Sequence, residues 1–327
     1  MAVLVTGGAG YIGSHVAWAL VDAGYEVVIL DDLSTGIRAN VPPATRFVLG
    51  RVGDRAAVAR LLKESQVTAV LHFAASIVVP ESVTQPLAYY DNNVSTMVGL
   101  LRACDDAGVH QVVFSSSAAV YGAPDRVPIA ESAALAPINP YGTTKLVNEW
   151  ILRDAALSGG GLRYVALRYF NVAGADPAGR TGQSTPVATH LVKLAVQAAL
   201  GRRPSLSVFG TDYPTDDGTC IRDYIHVSDL ADVHVLALRW LEGGGDCQAL
   251  NCGYGHGYSV RDVVDTVKRV SGVDFPVVIA PRRAGDPPSL VADASRLRSL
   301  LGWTPQHDDL DAIVRTALNW EARLGQG

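Results

Sequence analysis

The chain has 327 residues, which predicts about two domains, and 48% of the residues are apolar, enough to form a buried core. Its 27 basic and 32 acidic side chains give a net charge of −5, which disfavours a general nucleic-acid or anionic-membrane binder because both need a basic surface. No apolar run reaches about 18 residues, so no membrane span is expected. The four cysteines lack metal-ligand spacing and no signal-like segment precedes the first strand, which predicts a cytoplasmic protein without a metal site.

Strands and helices are predicted to alternate through the first half of the chain. The predicted strands cover residues 2–6, 25–30, 46–49, 69–73, 111–115 and 164–169, and the predicted helices cover residues 14–23, 55–64, 92–106 and 140–157. This alternation predicts an α/β fold in which helices cover both faces of a Rossmann-type doubly wound parallel sheet.

The pattern changes after residue 171, where a loop rich in glycine, alanine and proline begins. The later predicted elements are helices at 189–200 and 260–271, a helix ending at 241, and a strand at 276–279. They predict a smaller mixed α/β domain. We therefore expect a first domain over residues 1–172, with 222–241 packing back on it, and a second domain over 173–327.

A glycine-rich turn joins the first predicted strand to the first predicted helix. Gly7, Gly10 and Gly13 have the spacing G-x-x-G-x-x-G, which allows a tight turn and a close approach of the backbone to a pyrophosphate at the helix N-terminus. Asp31 and Asp32 end the next strand, where a carboxylate binds the adenosine ribose and repels a 2′-phosphate. This context predicts a dinucleotide site that prefers NAD to NADP.

Tyr141 and Lys145 are four residues apart at the start of a predicted helix, so their side chains share one face. Ser117 ends the preceding strand segment, at the sheet edge where a dinucleotide binds. Ionising a tyrosine at pH 7 costs about 4 kcal/mol, and a nearby ammonium together with the positive nicotinamide ring offsets that cost in a dry site. An isolated pair with this spacing is usually a packing tyrosine and a solvated lysine. Behind a dinucleotide turn it predicts proton transfer, with Ser117 holding the substrate hydroxyl.

Longer motifs carry a family resemblance along nearly the whole chain. They occupy residues 3–15, 89–93, 114–117, 120–122, 140–145, 167–171, 217–227, 281–286 and 301–303. On these motifs the chain resembles the extended short-chain dehydrogenases/reductases, and within them the UDP-glucose 4-epimerases. The resemblance implies NAD in the first domain and a UDP-hexose between the domains. It also implies that Tyr141 takes the proton of the 4-hydroxyl while hydride passes from C4 to NAD, and that the 4-keto sugar turns before hydride returns.

The resemblance also implies the site residues and a homodimer. The catalytic residues are expected to be Ser117, Tyr141 and Lys145. The expected cofactor contacts are Gly7, Gly10, Tyr11, Ile12, Gly13, Asp31, Asp32, Leu33, Ser34, Thr35, Gly36, Val52, Phe73, Ala74, Ala75, Asn92, Tyr141, Lys145 and Phe170. The expected substrate contacts are Ser117, Tyr141, Asn171, His190, Leu191, Ser207, Val208, Phe209, Arg222, Arg283, Asp286 and Leu290.

Three positions near the expected cofactor depart from the family pattern. Arg51 stands where the family often has an aspartate that meets the adenine amino group, and Asp54 is the candidate substitute. Ile77 replaces a lysine found in some members, and Ala75 replaces a glycine. These changes predict weaker retention of NAD and faster exchange.

Two positions on the expected substrate side also depart. His190 replaces an asparagine, and it is expected either to hydrogen-bond near the uridine, which we favour, or to pack in the core. Leu290 replaces the bulkier tyrosine of some members, which predicts room for a UDP-N-acetylhexosamine.

Other activities remain open from the sequence. A UDP-N-acetylhexosamine or UDP-pentose 4-epimerase fits the same motifs. A nucleotide-sugar dehydratase is disfavoured because Ala118 and Ala119 follow Ser117, where that class carries an acidic pair. A non-catalytic NAD sensor is disfavoured because it need not keep Ser117, Tyr141 and Lys145 together.

Overall fold

The computed structural model describes residues 1–185, 189–283 and 285–324, and it divides into two compact units. Unit 1 consists of Met1–Gly122, Leu135–Tyr169 and Ala231–Leu250, and unit 2 consists of Ala123–Ala134, Phe170–Leu230 and Asn251–Gly327. The segment that returns to unit 1 thus begins at residue 231, whereas the sequence predicts 222. The assignment of NAD and of the UDP-sugar to particular domains stays a prediction.

The secondary structure comprises strands and helices throughout both units. The strands are β1 (Ala2–Thr6), β2 (Glu26–Asp31), β3 (Arg46–Leu49), β4 (Val67–His72), β5 (Gln111–Ser117), β6 (Arg163–Tyr169), β7 (Asn171–Ala173), β8 (Leu206–Phe209), β9 (Ile221–Arg222), β10 (Tyr224–His226), β11 (Gln248–Cys252), β12 (Tyr258–Ser259), β13 (Val277–Ala280) and β14 (Ser289–Leu290). The helices are α1 (Tyr11–Asp22), α2 (Arg55–Glu64), α3 (Val79–Thr84), α4 (Pro86–Tyr89), α5 (Thr96–Ala107), α6 (Pro140–Leu157), α7 (Leu191–Ala199), α8 (Val227–Glu242), α9 (Val260–Ser271), α10 (Ser295–Leu301) and α11 (Leu310–Leu324). Within the described ranges, none of these helices has the length and apolar character needed to cross a membrane.

A seven-stranded sheet forms the centre of unit 1, in the order β11-β6-β5-β4-β1-β2-β3. The neighbouring pairs from β6 to β3 are all parallel. Thr6 lies level with Leu30 of β2 and with His72 of β4, so the carboxyl ends of these strands meet at one edge. This edge is where dinucleotides bind in doubly wound sheets, and the predicted fold class is confirmed.

Two apolar clusters attach helices to this sheet. In one, Leu4 of β1 is grouped with Leu61 of α2 and Leu100 of α5. In the other, Phe114 of β5 is grouped with Leu152 of α6. All five residues of β1 are buried, as expected for a central strand of a parallel sheet that is covered on both faces.

Unit 2 is built from short strand groups and helices. β7 pairs with β10 and β8 pairs with β13, both in parallel, while β9 lies between β12 and β14. Helices α7, α9 and α11 pack against one another. The described part of this unit is therefore mixed α/β.

Several elements of unit 1 differ from the sequence prediction. Helix α1 begins at Tyr11, three residues before the predicted start, and helices α3 and α4 are not predicted. The helix predicted at 92–106 begins as a π-helical segment over Tyr90–Ser95 before α5, because hydrophobic spacing does not distinguish the two kinds of helical turn. Strand β11 is absent from the prediction, since its sequence QALNC has no β-branched residue. By contrast, α2, α6 and α9 begin and end where the sequence predicts.

Candidate active site

The glycine turn between β1 and α1 leaves no room for side chains. Gly7 has a φ of +70°, and a Cβ built on it would lie 2.6 Å from the backbone nitrogen of Ala74. A Cβ on Gly13 would lie 2.2 Å from the carbonyl oxygen of Gly7, and one on Gly10 would lie 3.2 Å from the same atom. Gly10 caps α1 without a side-chain hydrogen bond. The turn therefore has the form of a cradle for a pyrophosphate.

Asp31, the last residue of β2, is tied to this turn. Its Oδ2 accepts a hydrogen bond from the backbone N–H of Ala9 at 2.9 Å, and its Oδ1 accepts one from Leu33 at 2.8 Å. Burial raises the pKa of Asp31, although the two N–H donors oppose this rise. The carboxylate at the predicted ribose position thus also holds the glycine turn in shape.

Asp32 is more exposed and has different partners. Its Oδ1 accepts hydrogen bonds from the Ser34 backbone N–H at 3.0 Å and from the Ser34 hydroxyl at 2.6 Å. Burial acts to raise the pKa of Asp32, but the Ser34 bonds and the charge of Arg51, at 3.9 Å, lower it overall. Asp54 caps α2 by accepting from the Ala57 N–H at 3.1 Å, so one of its oxygens is engaged by the protein. Its role at the adenine stays a prediction.

The other predicted cofactor residues of unit 1 follow strand ends or begin helices. They are Tyr11 and Ile12 at the start of α1, Leu33 to Gly36 after β2, Val52 after β3, Phe73 to Ala75 after β4, and Asn92 in the π-helical segment. The Asn92 side-chain amide donates to the Ser76 hydroxyl at 3.0 Å. Phe170 lies in unit 2, where its N–H donates to the Cys252 carbonyl at 3.1 Å.

The start of α6 is defined by local capping. Asn139 is the N-cap, and its Oδ1 accepts from the Gly142 N–H at 2.8 Å. Pro140 occupies the first helical position, which suits its fixed φ. A Cβ on Gly142 would lie 2.6 Å from the Ala119 carbonyl oxygen. This close contact presses the first turn of α6, which carries Tyr141, against the chain that follows β5.

Ser117, Tyr141 and Lys145 come together at the carboxyl end of β5. The Ser117 hydroxyl hydrogen-bonds to the Tyr141 phenol. The ammonium nitrogen of Lys145 lies 5.8 Å from the centre of the Tyr141 ring and donates to the Ser115 carbonyl at 2.7 Å. The structure therefore brings the three predicted catalytic residues into one group, and their catalytic roles stay predictions.

Burial sets the charges within this group. Lys145 is 2% exposed, and burial lowers the pKa of its ammonium to about 7. Burial raises the pKa of the Tyr141 phenol, while the hydrogen bond with Ser117 lowers it. The phenol is therefore protonated at neutral pH in this structure, and its ionisation requires additional positive charge.

In unit 2 the predicted substrate residues include two arginine groups. The Arg222 guanidinium lies 3.4 Å from the Asp286 carboxylate, and Leu290 of β14 is level with Arg222 of β9 in the strand pairing. The Arg283 guanidinium lies 3.9 Å from the centre of the Phe209 ring, at the end of the β8 segment that includes Ser207 and Val208. Guanidinium groups are suited to binding a diphosphate.

His190 and Leu191 form the start of α7. The buried Nδ1 of His190 has no hydrogen-bond partner in the described part of the chain, a deficit that a bound polar ligand would remove. Burial and the nearby Lys193 lower the pKa of His190, so the ring is neutral. Asn171 of β7 lies elsewhere in the unit, with its N–H donating to the Asp223 carbonyl at 2.9 Å.

Asp223 follows the predicted substrate residue Arg222, and the sequence analysis does not single it out. Its buried carboxylate accepts from the backbone N–H groups of Tyr254 at 2.8 Å, Gly255 at 3.0 Å and Ala292 at 3.2 Å. These bonds fix the chain directly after Arg222. The sequence signal is an acidic residue placed between Arg222 and the apolar run that follows it.

Among the described residues, no cluster of histidine, cysteine and acidic side chains suits a metal ion.

Known proteins match this chain over almost its entire length. A family profile described as the NAD dependent epimerase/dehydratase family matches residues 3–253. The chain belongs to this family. A UDP-glucose 4-epimerase of Azospirillum brasilense is 62% identical over 324 residues, which are 99% of this chain and 93% of that protein.

Solved structures agree with this assignment. The structure of a UDP-glucose-4-epimerase from Stenotrophomonas maltophila, with bound NAD and formylated UDP-arabinopyranose, matches with a TM-score of 0.96 at 43% identity and covers 100% of this chain and 99% of its own. A UDP-glucose 4-epimerase from Brucella ovis in complex with NAD has a TM-score of 0.94 at 49% identity, with 97% of each chain covered. The predicted family and its dependence on NAD are confirmed.

Proposed function

We propose that this protein is an NAD-dependent isomerase that interconverts UDP-glucose and UDP-galactose at C4 through a 4-keto intermediate. The observation that carries the proposal is the group of Ser117, Tyr141 and Lys145, which lies at the same sheet edge as the glycine cradle. Identity of 62% to a UDP-glucose 4-epimerase along nearly the whole chain supports it.

The residues of unit 1 fit a bound NAD. The cradle of Gly7, Gly10 and Gly13 leaves little or no room for a Cβ where the backbone is expected to approach a pyrophosphate. Asp31, the expected ribose contact, hydrogen-bonds to the same turn. Oxidised NAD held by these residues would supply a reversible hydride acceptor for C4 of the sugar and a positive charge. That charge would favour ionisation of the Tyr141 phenol, whose pKa is raised by burial.

Proton transfer is assigned to side chains of this protein. The phenolic oxygen of Tyr141 takes the proton of the sugar 4-hydroxyl as a general base and later returns it. The Ser117 hydroxyl, which hydrogen-bonds to that oxygen, orients the sugar hydroxyl. Lys145 supplies positive charge beside the phenol. In unit 2, Arg222 and Arg283 bind the diphosphate, and the unpartnered His190 Nδ1 binds near the uridine.

Conversion of UDP-galactose without added NAD tests the function. We expect purified protein to form UDP-glucose, because bound NAD is regenerated in each cycle. Two outcomes would contradict the proposal: a product that lacks the 6-hydroxyl, which indicates a dehydratase, and intact UDP-galactose in the presence of saturating NAD, which indicates a non-catalytic sensor. A requirement for added NAD would support the weak retention predicted from Arg51 and Ile77.

A wider sugar range is a second proposal, carried by Leu290. This residue lies level with Arg222 in the β9–β14 pairing and is smaller than tyrosine. We expect measurable kcat/KM for UDP-N-acetylhexosamine as well as for UDP-galactose. Leu290→Tyr should lower kcat/KM for the N-acetyl sugar while leaving UDP-galactose less affected. A UDP-pentose belongs in the same assay, and undetectable turnover of the N-acetyl sugar by the wild-type protein would reject the wider range.

We also propose a cytoplasmic homodimer. The helices α3, α4 and α6 pack together and expose apolar side chains, among them Val83 at 60%, Leu87 at 82% and Trp150 at 46% exposure. Such a group on packed helices is typical of a protein interface. The interface is tested by sedimentation of Leu87→Lys, which should shift the protein towards monomer.

The proposed location in the cytoplasm is supported by the cysteines. All four are free thiols, which fits a reducing compartment.

A further inference from the structure

A buried ion pair lies on the helix and strands that carry the catalytic group. Arg168 and Glu149 are 4% and 6% exposed. The Arg168 Nε donates to Glu149 Oε1 at 3.0 Å, and its Nη2 donates to Oε2 at 2.6 Å. The Ser116 hydroxyl donates to Oε1 at 2.5 Å, and the remaining Arg168 nitrogen donates to the Tyr121 hydroxyl at 2.8 Å. The four side chains therefore join α6, β5, β6 and the turn after β5.

Stability alone does not account for this group. Taking two charges out of water costs several kcal/mol for each ion, and replacing such pairs by apolar side chains of similar size is often neutral or stabilising. What the bidentate pair supplies is direction, since both oxygens and both nitrogens are fixed in one plane.

The pair is in register with the catalytic residues. Glu149 follows Lys145 by four residues and Tyr141 by eight, so the three share one face of α6. On β5, Ser116 lies between Ser115, whose carbonyl accepts from Lys145, and Ser117. The Glu149 carboxylate thus fixes both the rotation of α6 and its position along β5.

We propose that Glu149 and Arg168 are positioning residues that hold the Tyr141 phenol and the Lys145 ammonium in place against Ser117. They act through geometry, because the two charges neutralise each other at contact distance. A displacement of about 1 Å in a catalytic group costs about 10²-fold in rate. This inference rests on the proposed epimerase function.

The main test replaces both charges at once, by Glu149→Met combined with Arg168→Met, so that neither is left buried alone. We expect a folded protein with the NAD content and UDP affinity of wild type, and a kcat for UDP-galactose lower by about 10- to 100-fold. Reduction of bound NAD by the substrate, followed by absorbance, should slow by the same factor. If the pair were purely structural, the double change would alter the free energy of unfolding, but it would not lower kcat while leaving the affinity for UDP unchanged.

The chain offers a matched control in unit 2. Lys193 and Glu321 form a buried pair at 2.7 Å, and the double change to methionine there should alter unfolding but leave kcat unchanged. A folded Glu149/Arg168 double variant with wild-type kcat overturns the inference. Loss of kcat in both double variants also overturns it, because the effect is then not specific to α6.

A second variant covers the case in which the double change does not fold. Ser116→Ala keeps the ion pair and removes only the bond from β5 to Glu149. We expect its kcat to fall by about 10-fold, the lower end of the range for the double change, because one link that positions α6 is lost, while UDP affinity is kept. A kcat equal to wild type overturns the inference on its own. If wild-type protein turns over no UDP-sugar, the proposed function fails and this inference fails with it, whereas an active wild type with unaffected variants rejects only the positioning role.

Discussion

Two of the four lysines are buried, one in each unit, and their surroundings are opposite. Lys145 is 2% exposed and donates to the Ser115 carbonyl, and within the described residues no carboxylate pairs with it. Lys193 is 7% exposed and binds the Glu321 carboxylate at 2.7 Å, and the other oxygen of that carboxylate accepts from Arg202 at 3.0 Å. Both lysines lie on helices, and both side chains are almost fully shielded from solvent.

The difference separates two uses of a buried ammonium. Lys193 has a counter-charge, so it ties α7 to the carboxyl-terminal helix α11. Lys145 has only neutral neighbours in the part of the chain that the structure describes, namely the Ser115 carbonyl and the rings of Phe114 and Tyr141. Burial lowers its pKa to about 7, so its charge responds to what binds beside it. An uncompensated cation next to a phenol is costly for folding and useful for chemistry.

The largest expected effect comes from removing the phenol that Lys145 faces. Tyr141→Phe should lower kcat by about 10²–10⁴, the usual contribution of a general acid–base group, while the Kd for UDP stays the same. Steady-state kinetics with UDP-galactose and calorimetric titration with UDP measure the two quantities. Tyr25→Phe, which removes a hydroxyl bonded to Glu242, is the matched control. Full kcat in Tyr141→Phe would remove this residue from the mechanism.

Lys145→Met should have the next largest effect. Loss of one preorganised electrostatic contact costs about 10²–10³ in kcat, and we expect a loss of this size. The NAD content of the variant is measured on the same sample, so that kcat can be given per molecule of NAD-containing protein. The variant should be at least as stable as wild type, because an unpaired buried charge is removed. A variant that is strongly destabilised and keeps its kcat would show that Lys145 has a structural role. Lys145 and Lys193 would then not differ in function.

Lys193→Met should show the reverse behaviour. Breaking a buried ion pair costs about 3–5 kcal/mol, and we expect the lower end of this range because Gln197 and Arg202 still bind Glu321. The kcat of the folded variant should equal that of wild type. Urea unfolding and kinetics on the same sample check both statements, and a lowered kcat at unchanged stability would show that the two lysines are not distinct.

The last prediction concerns the pH dependence of stability, which changes gradually with each unit of pH. The folded pKa of Lys145, about 7, lies below the about 10.4 of an unfolded lysine, so between these values the unfolded chain binds more protons. Stability should therefore rise with pH in this window by about 1.4 kcal/mol per unit, and Lys145→Met should lack that rise. Unfolding free energies of both proteins across the window measure the difference, and parallel curves would contradict the lowered pKa.

How far the sequence predicts the molecule depends on whether a feature is local. The glycine turn and α6 have their signals within a few residues, such as Asn139 and Pro140 before the helix, and both are found as predicted. Strand β11 lacks such a signal and becomes a strand only because β6 provides a partner. Membership of the family and of the epimerase group comes from resemblance, not from these physical signals.

The parts of the site that the sequence does not indicate are contacts between distant residues. Glu149 and Arg168 are 19 residues apart, and nothing in their own neighbourhoods shows that they meet. The three backbone bonds to Asp223 come from residues 31 to 69 positions away. Likewise, the pKa of Lys145 follows from its burial, which the spacing of Tyr141 and Lys145 does not show.

The position of β11 has a consequence for synthesis on the ribosome. The sheet is complete only when Gln248–Cys252 pairs beside β6, although β6 itself ends at Tyr169. Until translation reaches Gln248, the nascent chain presents β6 as an unpaired edge, which is a template for aggregation. Between these two points in translation, β6 is therefore the strand edge that is most open to pairing with another chain.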